Sequence, residues 1–374
     1  MKSSFRLFRI AGIDIGIHYT WFFIFLLVTW SLAQGYFPQL YPQWDTPAYW
    51  IAGALTAIML FVSVLTHEMA HSLVARARGM AVNSITLFLL GGVSNLQEEP
   101  KQPGAEFVMA IAGPLTSLVL AGIFWGLSMV LDSQSMAGAL VGYLALINLI
   151  LAIFNLLPGF PLDGGRVLRS IIWARTGSLT KATNAAALAG RIFGWGLITY
   201  GVLQALSGNL SGLWTAFIGW FLNNAADVSR KEVTLREIFS NIKVKEVMGV
   251  NMETISPETS VEQVVTGILH RKYDRAVPVC RDSRLLGIVT MTDIKGLPKD
   301  KWATTPVEQI MTRSPLYTVT AEDTVKNALD LLAGHDINQV IIGEQGSCSG
   351  ILKRADIINY LQLSHELNRK VSKR

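Results

Sequence analysis

The sequence is poor in cysteine and in charge. Cys280 and Cys348 are its only cysteines in 374 residues, too few for a disulfide framework or a cysteine-rich metal site, and both are expected to pack in cores. Asp, Glu, Lys and Arg make up 16% of the chain, against about 25% in ordinary soluble domains. The scarcity is confined to one part: residues 1–230 carry 12 Lys/Arg and 9 Asp/Glu, whereas residues 231–374 carry 20 and 18. Charge is costly in hydrocarbon and cheap in water. A single soluble globule is therefore excluded, and the chain reads as a bilayer-dissolved body followed by a water-soluble domain. The net charge of +5 is small and dispersed, which excludes nucleic acid as a partner. The opening MKSSFRLFRIAG lacks a small-residue cleavage pattern after an apolar core and reads as an uncleaved interfacial segment.

What is present in quantity is apolar sequence. A hydrocarbon core of about 30 Å takes roughly 20 helical residues, and suitable runs occur near residues 17–36, 49–76, 107–131, 137–157, 185–206 and 211–226. They predict about six transmembrane helices. The stretch 79–96 is apolar but glycine-broken, and reads as a re-entrant or interfacial hairpin. With the amino terminus inside, the inner segments hold Lys2, Arg6, Arg9, Arg76, Arg78, Lys101, Arg166, Arg169, Arg175, Lys181, Arg230 and Lys231, and the outer turns hold none. An even number of spans returns the carboxyl end to the cytoplasm. Arg191 alone lies within a span, where it must snorkel or pair.

Residues 67–71 read HEMAH inside the second apolar run. On a helix His67 and His71 share a face one turn apart, so both imidazoles can reach one Zn²⁺, while Glu68 can accept a proton from bound water. Ionisable groups at that depth are costly unless paired, and a divalent metal pairs them well. A hydrogen-bonded histidine pair in a transporter is the competing reading. A third ligand is hard to find among the other histidines, because His270, His335 and His365 lie in the polar part and His18 at the mouth of the first span. Among carboxylates Asp163, in NLLPGFPLDGGRVLRS, is best placed: Pro158 and Pro161 break the helix and Gly164 and Gly165 permit close approach. It could equally cap the helix that follows.

HEMAH in a second span together with Asn155, Pro158, Pro161, Asp163, Gly164 and Gly165 after a fourth resembles the site-2 protease family of intramembrane zinc metalloproteases, over roughly residues 10–226. The resemblance implies one Zn²⁺ on His67, His71 and Asp163, Glu68 as general acid/base, and Asn155 near the oxyanion or substrate backbone. It also implies a membrane-anchored protein substrate, with anti-sigma factors as a candidate class. FLLGGV, residues 88–93, resembles the family's membrane-dipping hairpin, which makes Gly91 and Gly92 candidate substrate contacts by strand addition; a packed loop is the alternative. AGPLTS, residues 112–117, is expected to serve helix packing. Glu106 is expected to be an exposed acid at a helix start rather than a gate, and His18 an interfacial hydrogen bonder.

The polar part is internally duplicated at an offset of about 63 residues: VKEVM at 244 matches VEQIM at 307, and GIVTMTDIK at 287 matches GILKRADII at 350. Each copy alternates β-like runs with an amphipathic helix. This resembles tandem cystathionine-β-synthase (CBS) domains, from residue 244 to about 363. In that family the G-h-x-[ST]-x-x-D segment holds ribose and phosphate; the first copy has Gly287, Thr290 and Asp293, whereas the second has Gly350 and Asp356 but Lys353 in place of the hydroxyl. The implied ligand is an adenine nucleotide, ATP or AMP. A pair that only dimerises, making a homo-oligomer, is the alternative.

The expected fold is thus an α-helical polytopic membrane protein of about six transmembrane helices followed by a soluble α/β tandem CBS module. The expected divisions are a protease domain over 1–226, a linker helix over 227–243, and repeats over 244–300 and 301–374. The expected location is the plasma or inner membrane, multi-pass, with both termini and the repeats cytoplasmic. The competing function is a CBS-gated transporter or channel.

Overall fold

The computed structural model describes residues 4–88, 91–96, 100–248, 254–269, 276–281, 284–313, 316–335, 337–343, 350–360 and 362. The chain divides into a unit over Met1–Val233 and a second over Thr234–Arg374.

The first unit opens with strands. β1 (Ser4–Ile10) and β2 (Ile13–His18) form an antiparallel hairpin around Ala11 and Gly12, both at positive φ. The alternation of Ile13, Ile15 and Ile17 supplies its buried face. The apolar run expected to span from residue 17 does not begin as helix: residues 17 and 18 belong to β2, and helix α1 (Thr20–Leu40) starts only after that strand ends. Next comes α2 (Thr46–Ala77), whose 32 residues are capped by Asp45, its Oδ1 accepting from the Ala48 N–H at 3.0 Å. β3 (Val82–Phe88) and β4 (Gly91–Leu96) form the expected hairpin, and β3 joins β2 in parallel to complete a sheet ordered β1-β2-β3-β4. Ile13, Ile15, Val82 and Ile85 from that sheet share a core with Leu65, Met69 and Ala75 of α2 and with Met109. The sheet is thereby fixed to the helix that bears HEMAH.

Helices α3 (Pro103–Ser128), α4 (Met136–Asn155), α5 (Asp163–Thr176), α6 (Leu179–Leu206) and α7 (Gly212–Asn241) follow. Among the described residues five helices, α1, α2, α3, α4 and α6, are long and apolar enough to cross a membrane. The sixth expected span is the opening part of α7, which continues past residue 226 into charged sequence. Phe23, Leu26, Val119, Trp125, Ile192 and Leu203 are more than half exposed on these helices. So much apolar surface suits lipid and not water. α6 and α7 meet through small residues: a β-carbon on Gly201 would fall 2.4 Å from the Gly212 carbonyl oxygen. Arg191 of α6 is paired, its Nε 3.8 Å from Asp227 of α7.

In the second unit the duplication is visible as packing. Its elements are α8 (Val244–Val247), α9 (Val261–Val264), β5 (Ala276–Arg281), β6 (Arg284–Thr290), α10 (Met291–Lys295), β7 (Thr318–Val319), α11 (Val325–Gly334), β8 (Gln339–Ile342) and β9 (Gly350–Lys353). β5 pairs with β6, and β7-β8-β9 form a second sheet. The two cores exchange their opening segments. Val244 and Val247 lie in the core made by Val319, Val325, Leu332, Val340 and Leu352, against which Phe239 and Ile242 also pack. Val307 and Met311 lie in the core of Ile255, Val261, Val277 and Val289. Each VKEVM-like segment therefore completes the other copy.

Candidate metal centre

His67 and His71 lie toward the end of α2, one turn apart on one face, as the motif requires. Asp163 is the first residue of α5, and the chain reaches it through a turn anchored by Phe160, whose N–H donates to the Ala186 carbonyl at 3.1 Å. Phe160 is itself buried among Ala186, Ala187 and Ala226. Leu162, not Asp163, holds the cap position of α5, and the Asp163 carboxylate turns to the histidines instead.

The three side chains converge. His67 Nε2 and His71 Nε2 lie 3.2 Å apart, and each lies 3.1 Å from Asp163 Oδ2. The far ring nitrogens are held as well: His71 Nδ1 lies 2.7 Å from the Met109 carbonyl oxygen and His67 Nδ1 lies 2.8 Å from Ser117 Oγ. A carbonyl can only accept, so the proton of a neutral His71 sits on Nδ1 and its Nε2 offers a lone pair; the Ser117 contact is compatible with the same tautomer for His67. Two lone pairs and a carboxylate oxygen then face one point, an arrangement that calls for a cation. Ligands about 2.0–2.1 Å from a tetrahedral zinc stand roughly 3.3 Å from each other, close to the spacings observed. The donor set fits Zn²⁺.

These residues line a cavity of about 690 Å³ within the first unit, together with Glu68, Gly91, Gly92, Asn155 and Arg166. The rest of its wall is largely apolar, including Ile24, Val28, Phe61, Ile150 and Phe217. Gly92 presses on the acid of the motif, since a β-carbon there would lie 2.5 Å from Glu68 Cγ. Asn155 closes α4 at the cavity wall. Sequence reasoning missed the partners of the imidazoles. Ser117 was visible only as a small residue in AGPLTS, and a main-chain acceptor such as the Met109 carbonyl leaves no mark in sequence.

Other candidates fall elsewhere. Glu106, expected to be exposed, is fully buried and paired with buried Arg169, because α5 packs its basic side chain directly over that turn of α3. His18 bonds Thr20 Oγ1 at 2.9 Å, and His335 stacks on Tyr317 in the second unit. His270, His365, Glu98, Cys348, Leu89 and Leu90 lie outside the described residues. Thr290 and Asp293 form a reciprocal cap of α10, Thr290 Oγ1 donating to Asp293 Oδ2 at 2.7 Å, and Asp356 accepts from the Lys353 N–H at 3.0 Å.

Outside the two CBS repeats, the model of peptidase family M50 matches residues 55–140 and 132–197; the CBS domain model matches residues 244–299 and 307–363. Zinc metalloprotease MJ0392 of Methanocaldococcus jannaschii is 32% identical over 98% of this chain and 99% of its own. A Synechocystis protein whose name places it among the zinc metalloproteases is 36% identical over 97% of each chain. Among solved structures, the site-2 protease from M. jannaschii is 32% identical and covers 61% of this chain and 95% of its own at a TM-score of 0.44. With a converging two-histidine, one-aspartate donor set in the first unit and relatives matched over nearly their whole length, this chain belongs to peptidase family M50, the zinc metallo-endopeptidases of site-2 protease type, and carries a pair of CBS domains at its carboxyl end.

Proposed function

We propose that this protein hydrolyses a peptide bond within or near a transmembrane segment of a membrane-anchored protein, using one Zn²⁺ held by His67, His71 and Asp163. The observation that carries the reading is the meeting of three acceptor atoms, 3.1–3.2 Å apart, in the wall of a largely apolar cavity that also contains Glu68. Bound there, zinc supplies a Lewis acid and brings the pKa of water near neutrality. Glu68 takes the proton of the attacking water and passes it to the leaving amine. Asn155 donates to the oxygen on which negative charge develops. Gly91 and Gly92, on a strand at the sheet edge, offer backbone to an extended substrate segment, and the apolar wall receives its side chains.

The distribution of Lys and Arg supports a cytoplasmic location for both termini and the repeats in a plasma or inner membrane. Product released on that side suits a tethered regulator, with an anti-sigma factor as the candidate class. Adenine nucleotide, ATP or AMP, is the regulatory ligand we assign to the CBS pair, with Thr290, Asp293 and Asp356 as its contacts; a differential affinity of a few kcal/mol between two arrangements suffices to modulate cleavage. The same repeats are the assigned site of self-association.

The test is metal content alongside cleavage of a single-span model substrate in detergent or liposomes. Wild-type protein is expected to hold about one zinc per chain and to lose cleavage with a chelator. Glu68→Gln is expected to keep the zinc and lose turnover. Wild-type cleavage by Glu68→Gln, or full zinc in Asp163→Ala, overturns the assignment.

A further inference from the structure

Among the described residues, the first unit holds a buried ion pair outside the metal centre. Glu106 of α3 is fully buried, and Arg169 of α5 is 5% exposed. The Arg169 Nε donates to Glu106 Oε1 at 2.6 Å, and a second guanidinium nitrogen reaches the same oxygen. The guanidinium carbon also lies 5.0 Å from the centroid of the Phe160 ring. Arg169 therefore touches two things at once: α3, and the turn that delivers Asp163.

A buried ion pair is weak evidence of stability. Removing two charges from water costs several kcal/mol, and apolar residues of similar volume often serve as well or better; the best-attested use of such a pair is to fix register. The register at stake here is chemically specific. α3 carries the Met109 carbonyl and Ser117, which hold the far nitrogens of His71 and His67. α5 begins with Asp163, whose Oδ2 meets both near nitrogens at 3.1 Å. A slip of α5 along α3 would part the carboxylate from the imidazoles by ångströms while leaving both helices intact. We propose that Glu106 and Arg169 are positioning residues that lock α5 to α3 and to the Phe160 turn, so that Asp163 stands at ligand distance from both histidines. The inference rests on the assignment of zinc to His67, His71 and Asp163.

The experiment replaces the pair by apolar residues of similar size, Glu106→Met together with Arg169→Leu, in the full chain. It measures the unfolding temperature, the zinc dissociation constant by chelator competition, and the visible absorption of the Co²⁺-substituted protein. The expected result is an unfolding temperature no lower than wild type, zinc binding weakened about 10-fold or more, and an altered Co²⁺ spectrum. Glu106→Asp, which keeps both charges and shortens one arm, is expected to fold and to show the same changes in smaller measure. It decides the question if the double variant does not fold. Wild-type zinc affinity and an unchanged Co²⁺ spectrum in a folded variant overturn the positioning role. Wild-type protein that binds no zinc, or Asp163→Asn that binds it fully, instead overturns the metal assignment on which the inference rests.

Discussion

Gly113 stands so close to His71 that a β-carbon on it would fall 2.2 Å from the imidazole Nε2, and 2.5 Å from that of His67. No real side chain tolerates such distances, so the helix bearing the two histidines can approach α3 only because residue 113 has none. The glycine thereby sets the open space beside the two donor nitrogens.

Gly113→Ala is accordingly expected to displace one or both imidazoles and to abolish zinc binding and cleavage together, while α3, in which alanine is a better helix former than glycine, stays helical. Metal analysis and circular dichroism on the same sample check it. A helical Gly113→Ala protein with a full complement of zinc contradicts it.

Ser117→Ala removes the partner of His67 Nδ1, 2.8 Å away. Loss of such an outer partner weakens metal binding by about 10–100-fold, because the imidazole loses its fixed orientation and part of its basicity. Competition with a chelator of known affinity measures this, and Ser117→Thr, which keeps the hydroxyl, is expected to retain more affinity than Ser117→Ala.

Asn155→Ala leaves the three donors in place and removes one amide from the cavity wall. Turnover is expected to fall on the order of 10²-fold with zinc content unchanged, as for other donors to a developing oxyanion. Single-turnover kinetics on the model substrate give the figure; an unchanged rate reduces Asn155 to the last residue of α4.

Val244→Ala tests the exchange of opening segments between the repeats. Val244 is fully buried with Val319, Val325 and Val340, so truncation costs about 2 kcal/mol from lost burial and the space left behind. Hydrogen exchange is expected to accelerate in β8 of the second repeat rather than in β5 of the first, although residue 244 belongs by sequence to the first. Faster exchange confined to β5 contradicts the exchanged cores.

Much of the centre was legible from residue order because its parts obey short rules. HEMAH on a helix puts His67 and His71 on one face, since 3.6 residues make a turn. Asp163 stood out because prolines and glycines surround it in an apolar run, a pattern that breaks a helix and frees a carboxylate. The glycine-broken stretch gave the β3-β4 hairpin, and the offset of about 63 residues gave the paired repeats. Each of these is a pattern of residue order, readable without knowing which distant segments meet.

Three things were decided only when distant segments met. The strands at residues 4–18 lay hidden next to an apolar run, because β2, hairpinned to β1, gains its other neighbour only from β3, across two helices. Glu106, which by its place at a helix start should face solvent, is buried because Arg169, 63 residues later, supplies the opposite charge. The opening segment of each repeat completes the core of the other, a choice between two apolar docking sites that periodicity cannot distinguish. Sequence determined which faces were apolar and where chemistry was concentrated; the partner of each buried charge, ring nitrogen and valine was fixed by packing, because burial and charge compensation act through space and not along the chain.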